Sequence, residues 1–295
     1  MADASRQLRD HPLVSVLTPS FQQARWLGDN IRSVRGQTYD HIEQIVMDGG
    51  STDGSIELLE RSAHPGLTWR SGSDRGQSHA LNMAFRESRG EIIGWLNSDD
   101  AYFGPSVVDE VVRTFRENPD VGVVYGHALL VNASGLILQA IWAPQFDRSL
   151  LRLHDFIVQP AAFIRRDAIL GDLVDESFDF MMDYELWLRL SDGHRFRRLD
   201  RIVALDRHHA ARKSYLLAEV GRTDHRRLTT RYGVAHGPFS RVARKTWKIA
   251  SRLVGSTLVG SAQTEPVTFG AIRDGRGRML LRQIAAPRSA MDYGD

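Results

Sequence analysis

The N-terminal third of the chain alternates between two patterns, and this alternation constrains the fold more than any other feature. Short apolar, β-branched runs occur at Leu13–Leu17, Ile42–Met47, Leu67–Arg70 and Ile92–Leu96. Between them lie segments of helical spacing, carried first by Leu27, Ile31 and Val34 and then by residues 55–62 and 77–87. Parallel neighbours need a crossover, so strands alternating with helices predict an α/β fold, a Rossmann-type sheet with helices on both faces. The first run ends at Thr18-Pro19-Ser20, where proline is expected to end strand pairing. Val107, Val108, Val111, Val112 and Phe115 mark one further helix face, followed by a strand over Val121–Tyr125. The runs Ala128–Val131 and Leu136–Trp142 flank Asn132-Ala133-Ser134-Gly135, a hairpin turn, so the sheet is expected to be mixed but mostly parallel. Tyr184, Trp187 and Leu188 share a helical face, and Phe196–Leu205 reads as extended.

A chain of 295 residues with 42% hydrophobic and 25% charged residues can bury one substantial core. The expected division is a polar leader over 1–12, one catalytic domain over 13–214, and a basic, partly helical C-terminal extension over 215–295. Helical candidates in that extension lie near 215–232 and 239–258, and the Gly- and Arg-containing end has weak periodicity. The sequence has no cysteine, which excludes a disulfide framework and a thiolate zinc site. The leader does not read as a secretory signal and no apolar run is long enough to cross a bilayer, so cytoplasmic placement is the expectation.

The net charge of +2 is unevenly spread, with basic residues crowding Arg195–Lys248. Arg241, Arg244, Lys245, Lys248 and Arg252 alternate with Val242, Trp247, Ile249, Leu253 and Val254. That pattern suits a helix packed on the domain with a solvated basic face, or a peripheral helix on an anionic membrane surface at the inner face. No recognition motif accompanies the charge, so no nucleic-acid partner is expected.

In an open α/β sheet, ligands bind at the carboxyl ends of the strands, and here consecutive strand ends run into polar loops. Asn97-Ser98-Asp99-Asp100 brings two carboxylates to a strand end, an arrangement that calls for a cation or donors to compensate them. Taken alone, it also reads as a turn cap. Asp48 follows Ile45-Val46-Met47 and precedes two glycines, so it is placed to accept a bond from a nucleobase N–H or simply to make a tight turn. Asp53 reads as a helix N-cap.

Three ordered segments, Thr18-Pro19-Ser20-Phe21-Gln22, Asp48-Gly49-Gly50-Ser51-Thr52-Asp53 and Ser98-Asp99-Asp100, resemble the signatures of the inverting family 2 glycosyltransferases of the GT-A fold. Gln22 stands where the family usually has Asn, one glycine is additional, and Ser98 replaces an Asp. Asp74-Arg75-Gly76-Gln77-Ser78-His79-Ala80-Leu81-Asn82 fits a further family pattern position by position. The resemblance spans Leu13 to Ser214 and implies a nucleotide-diphosphate-sugar donor, with a UDP type favoured. The donor would sit at Thr18, Pro19, Ser20, Asp48, Asp74, Arg75, Gln77 and Asp99. It also implies a divalent metal, Mn2+ or Mg2+, held by Asp100, with His209 or its alternative His208 as a further ligand; imidazole favours manganese.

Met182-Asp183-Tyr184-Glu185-Leu186-Trp187 resembles the family segment whose Asp is the catalytic base, which assigns that role to Asp183, although Asp183 also suits helix capping. Gln159 and Trp187 are expected on the acceptor side, toward a saccharide or lipid-linked acceptor, and Asp175 and Glu176 are expected to be structural. Arg212 and Lys213 are candidates to neutralise the leaving diphosphate. Two rivals remain at this level. A nucleotidyltransferase would need a Gly-rich phosphate loop after its first strand, which Thr18–Gln22 lacks, and a non-catalytic nucleotide-sugar or membrane-surface binder would never turn its donor over.

Overall fold

The computed structural model describes residues 8–209, 218–235, 242, 245, 246, 249, 269–273 and 279–283. In chain order the elements begin β1 (Val14–Ser20), α1 (Ala24–Arg35), β2 (Ile42–Asp48), α2 (Ser55–Arg61), β3 (Leu67–Ser71), α3 (Gln77–Glu87) and β4 (Ile92–Trp95). They continue with β5 (Ala101–Tyr102), α4 (Val107–Glu117), β6 (Val121–Asn132), β7 (Ile137–Ile141), α5 (Arg148–Leu153), β8 (Ala162–Arg165), α6 (Met182–Leu190), β9 (Arg195–His208) and α7 (Ala218–Tyr232). A separate two-stranded hairpin joins β10 (Phe269–Arg273) to β11 (Met279–Gln283), where the sequence shows only weak periodicity.

The main sheet runs β3-β2-β1-β4-β8-β6-β9-β5, with β7 added to β6. Its first four strands are all parallel, whereas β8 is antiparallel to both β4 and β6. The period of two along each strand divides the core into layers. Leu17, Ile45, Met47, Ile93, Trp95, Val123 and Tyr125 face α3 and α6, while Val14, Val16, Ile92 and Val124 face α1 and α4. Helices therefore cover both faces, as the alternation of the sequence requires.

Two strands depart from the sequence expectation for local reasons. β1 continues through Pro19, which pairs with Met47 of β2. Leu17 directs its carbonyl toward the β4 side and Ser20 directs its carbonyl toward β2, so Pro19, in phase with Leu17, turns its missing N–H toward β4. Pairing with β4 has already stopped at Trp95, and no ladder bond is lost there.

β6 is a single strand where two were expected, because His127 interrupts the apolar pattern without interrupting the backbone. The His127 ring is fully buried, accepts a bond from the Ala143 N–H at 3.1 Å and meets Asp200 Oδ1 at 3.1 Å. Burial pulls its pKa below the usual imidazole value. Beside it Gly126 lets β9 approach, since a Cβ there would lie 2.4 Å from Val203 Cγ2.

α7 lies beyond the expected end of the domain, yet Leu228 and the following Val234 belong to the same core as α3 and α6. The tail residues Val242 and Ile249 are exposed, and most of the basic stretch and the 239–258 helical candidate lie outside the described residues, as do Arg212 and Lys213. Among the described residues, no helix is long and apolar enough to cross a membrane.

Because Leu228 is fully buried, Leu228→Ala is expected to cost about 2–5 kcal/mol in urea unfolding while leaving one transition. A loss below about 1 kcal/mol, or a separate early transition, would mean that α7 is not part of the cooperative core.

Candidate functional site

The chain winds from β1 outward to β3 and then returns to place β4 on the other side of β1, so the topological switch point lies between β1 and β4. The loops after these two strands form the floor of a cleft of about 1190 Å3. Pro19, Ser20 and Phe21 reach it from β1, Asp74, Gly76 and Gln77 from the start of α3, and Asn97 to Asp100 from β4. The Ser20 hydroxyl is buried there with no protein partner.

A chain of buried amides holds the acidic loop. Gln44 Nε2 donates to Thr18 Oγ1 at 3.1 Å and to Asn30 Oδ1 at 2.7 Å, and Asn30 Nδ2 donates to the carbonyls of Asn97 and Asp100 at 2.8 and 3.1 Å. On the cleft side, Asn97 Oδ1 accepts from Gln77 Nε2 and from Trp95 Nε1, both at 2.8 Å. Its Nδ2 donates to Gln159 Oε1 at 2.8 Å and to Asp100 Oδ2 at 3.3 Å. The site thus has a hub, Asn97, that the sequence presents only as a loop polar residue. Thr18 belongs to this support and does not line the cleft. Gln159 does line it.

The two carboxylates of the loop have different partners. Asp100 Oδ1 accepts from the Arg207 backbone N–H at 2.9 Å, while the Arg207 guanidinium donates to the Asp99 carbonyl at 2.9 Å and lies 3.4 Å from Asp29. Burial lowers the Arg207 pKa, and the carboxylates of Asp29, Asp100 and Asp99 oppose that shift. Asp99 Oδ2 instead faces His209 Nε2 at 2.9 Å. The His209 ring stacks on Trp26 with centroids 3.9 Å apart, and its Nδ1 is buried without a partner.

The sequence pairs Asp100 with His209 as metal ligands; in the fold His209 meets Asp99, because Asp100 is committed to Arg207 and Asn97. The 2.9 Å between Asp99 Oδ2 and His209 Nε2 is that of a hydrogen bond, which holds the ring against the acidic loop. Among the described residues, no group of three or more acidic or histidine side chains encloses a cation position.

Asp48 is buried and does not line the cleft. Its carboxylate accepts bonds from Gly50 N, Ser51 N, Ser51 Oγ and Ser71 Oγ at 3.0, 2.8, 2.5 and 2.6 Å. It organises the loop, and Gly50 makes the turn possible at φ +84°. Gln22 adopts φ +55°, where the family's Asn is at ease and a longer side chain is not. Bonds from its N–H to Ser51 Oγ at 2.7 Å and from its amide to Thr52 Oγ1 at 3.1 Å hold it there. Asp53, expected as a helix N-cap, stands one residue before it, since Gly54 is the N-cap of α2; its carboxylate still meets the first amides of two helices, with Oδ2 accepting from Ala24 N of α1 at 2.9 Å and Oδ1 from Ser55 N of α2 at 3.1 Å. Asp74 Oδ1 binds the Gly76 N–H at 2.7 Å, and Arg75 pairs with Glu176 at 2.8 Å, away from the cleft lining.

Across the cleft stands Asp183 in the first turn of α6, with Oδ1 2.8 Å from the Tyr184 N–H. Asp155, which the sequence reading passes over, lines the same wall. Burial, and then the Asp183 carboxylate, push its carboxyl well above the ordinary range, against a bond from the Ile157 N–H. Asp206 and His208 from β9 and His225 from α7 complete the lining. Trp187, expected at the acceptor side, is instead packed into the core at 1% exposure, because its helix turns that face inward. The cleft wall carries Asp74, Asp99, Asp100, Asp155, Asp183 and Asp206, and among the described residues no lysine or arginine.

The profile of the family described as Glycosyl transferase family 2 matches residues 15–170. A chondroitin synthase from Escherichia coli is 26% identical over 247 residues, covering 83% of this chain and 35% of that protein. A chondroitin synthase from Pasteurella multocida is 29% identical over 194 residues, covering 65% of this chain and 20% of that protein. The chain therefore spans only a fifth to about a third of these relatives. Among solved structures, the mannosyltransferase PcManGT from Pyrobaculum calidifontis, in complex with GDP-Man and Mn2+, superposes with a TM-score of 0.57 at 19% identity, over 87% of this chain and 76% of that one. Residues 1–349 of S. aureus TarS, in complex with UDP-GlcNAc, superpose with a TM-score of 0.55 at 16% identity, over 74% and 66% of the two chains. The sheet order is thus that of a GT-A fold, and with the profile covering more than half of its residues the chain belongs to glycosyl transferase family 2.

Proposed function

We propose that this chain transfers a sugar from a nucleotide-diphosphate donor to an acceptor hydroxyl by a single displacement that inverts the anomeric carbon. The observation that carries this reading is the single cleft with the β1, α3 and β4 loops on one side and the Asp155–Asp183 pair on the other. The acceptor oxygen attacks the anomeric carbon while Asp183 takes its proton, and the bond to the diphosphate breaks with its electron pair leaving on the phosphate oxygen. Asp155 serves this step: a carboxyl whose pKa burial and the Asp183 carboxylate raise holds its proton to higher pH, which limits the negative charge beside Asp183.

An anionic donor entering a wall of six aspartates requires positive charge, and the described residues of that wall supply no lysine or arginine. Asp99, Asp100 and His209 would hold a divalent cation, Mn2+ or Mg2+, which would supply positive charge to the departing diphosphate. Asn97 and Gln77 keep that loop in place, and Phe21, 60% exposed at the cleft edge, offers an aromatic face to the donor. The neighbours solved with UDP-GlcNAc and with GDP-Man favour a uridine or guanosine diphosphate sugar. The chondroitin synthase relatives favour a saccharide acceptor.

A thermal-shift screen of UDP and GDP with and without Mn2+ tests the donor half. One of them is expected to stabilise the chain only with metal, by about 2.7 kcal/mol at a hundred times its Kd. No metal-dependent shift with either would sink the reading. For the acceptor half, Asp183→Asn is expected to slow transfer by about 10²–10⁴-fold, measured as nucleoside diphosphate release, with nucleotide and Mn2+ binding retained.

A third expectation concerns the acidic pair. A carboxyl raised in the folded state favours folding most below its unfolded pKa of about 4, and that contribution is lost as pH rises through the folded value. Asp155→Asn should therefore leave the melting temperature unchanged below about pH 4 and raise it progressively toward neutral pH. An equal effect at all pH values would show that Asp155 is not perturbed.

A further inference from the structure

Helix α6 starts without a cap of its own, although its first turn carries Asp183. The N-cap residue is Met181, whose thioether cannot perform the capping role of a serine or aspartate and which lines the cleft instead. The two amides that lead into the helix, those of Phe180 and Met181, are satisfied from far along the chain. Asp224 on α7, 1% exposed, accepts through Oδ2 from the Phe180 N–H at 2.8 Å and from the Met181 N–H at 3.2 Å. Gly221, one turn earlier on α7, leaves room for the Phe180 ring, which would lie 3.1 Å from a Cβ at that position.

The surrounding contacts attach α7 along the whole segment that leads into α6. Arg227 donates to the Ser177 carbonyl, Arg231 pairs with Asp175 at 2.7 Å, Tyr232 donates to Glu185, and Ala235 N donates to the Arg152 carbonyl at 2.8 Å. Among the described residues, only Asp224 bonds to the two backbone amides that immediately precede the first turn of α6. His225, its neighbour, faces the cleft itself.

We propose that Asp224 is a positioning residue for the reaction: it fixes the start of α6, and with it the place of Asp183 in the cleft, from a helix outside the segment that the family profile covers. This inference rests on the role proposed above for Asp183. An anionic acceptor at a helix N-terminus is held by the orphan N–H groups and by the helix dipole together, so the neutral amide of asparagine holds the same groups less firmly. A displacement of the base by about 1 Å is enough to cost about 100-fold in rate. The donor loops lie on the opposite wall and keep their own supports, so donor binding is unaffected.

The test uses the full chain, with Asp224→Asn, Asp224→Ala and, as a comparison, Tyr232→Phe, which removes a different tie between α7 and α6. Turnover is followed as nucleoside diphosphate release from UDP- and GDP-sugars with Mn2+ and a panel of mono- and oligosaccharides. Expected are a kcat about tenfold lower for Asp224→Asn and about 100-fold lower for Asp224→Ala, a donor KM within about twofold of the parent, and an unchanged kcat for Tyr232→Phe. Hydrogen exchange across residues 178–184 should quicken in the same order for the two Asp224 variants. Should Asp224→Ala fail to fold, the asparagine variant decides by the same two readouts. Undiminished kcat in Asp224→Asn, unchanged exchange at 178–184, or a parallel loss in donor KM and in Tyr232→Phe would overturn the inference alone. Absence of turnover in the parent chain would instead overturn the reading of function beneath it.

Discussion

The acidic loop after β4 depends on a run of buried amides, and most of the site depends on that loop. Asn30 sits wholly inside the protein and spends both ends of its side chain on neighbours: Gln44 on one side, the carbonyls of Asn97 and Asp100 on the other. A buried amide left unpaired costs about 1–3 kcal/mol, so losing a member of this run weakens the support of the loop, even though Gln44 Oε1 is itself buried without a partner. The loop geometry is thereby tied to the stability of the fold. Asp99, Asp100, Gln77 and Gln159 are all located relative to Asn97, and Arg207 and His209 close the loop from β9.

The opposite wall is built on another principle. It has no strand-end loop of its own; it is assembled from the segment after α5, the start of α6 and part of α7, elements joined by long-range contacts. Glu185, two residues beyond Asp183, is completely buried and paired with Arg189 of the same helix at 3.1 Å and with the Tyr232 hydroxyl of α7. Undocking α7 would take only the hydroxyl from that carboxylate and leave the Arg189 pair in place, so Tyr232 is one of several ties between the two helices. The donor side is thus fixed by the sheet, and the proposed base is fixed by helices that meet only when the fold is complete.

This difference explains what could be read from the sequence. Strand and helix positions in the first hundred residues follow from local periodicity, and α3 begins and ends at the expected residues because Gly76 and Ser88 punctuate it. β6 was legible only in two halves because His127 carries no apolar signal, although its ring is satisfied in place. The place of Asp183 in the cleft lining agrees with the position its motif gives it. Asp155, Asn97 and Asp224 were not legible, since each derives its role from a partner distant in sequence: Asp183, Gln159 and Phe180 respectively. Trp187 misleads for the converse reason. Its position in the motif suggests a surface that binds substrate, but the face it shares with Leu188 is the one α6 buries.

The acidity of the cleft unites the two walls. Carboxylates lining one cavity raise one another's pKa unless something compensates them, and the two ends are compensated by different means. At the donor end, Arg207 lies behind Asp99 and Asp100, donating to the Asp100 carboxylate through its backbone N–H and to the Asp99 carbonyl through its guanidinium, while His209 faces the Asp99 carboxylate. Under the proposed reaction, that leaves the outward side of the loop to a cation that would arrive with the diphosphate. At the acceptor end no lysine or arginine of the described residues lines the wall, and burial and the Asp183 carboxylate push the Asp155 carboxyl well above the ordinary range. Under the proposed reaction the distinction is useful: positive charge is concentrated where the leaving group develops negative charge. It is kept away from the base, whose affinity for the acceptor proton a nearby cation would weaken.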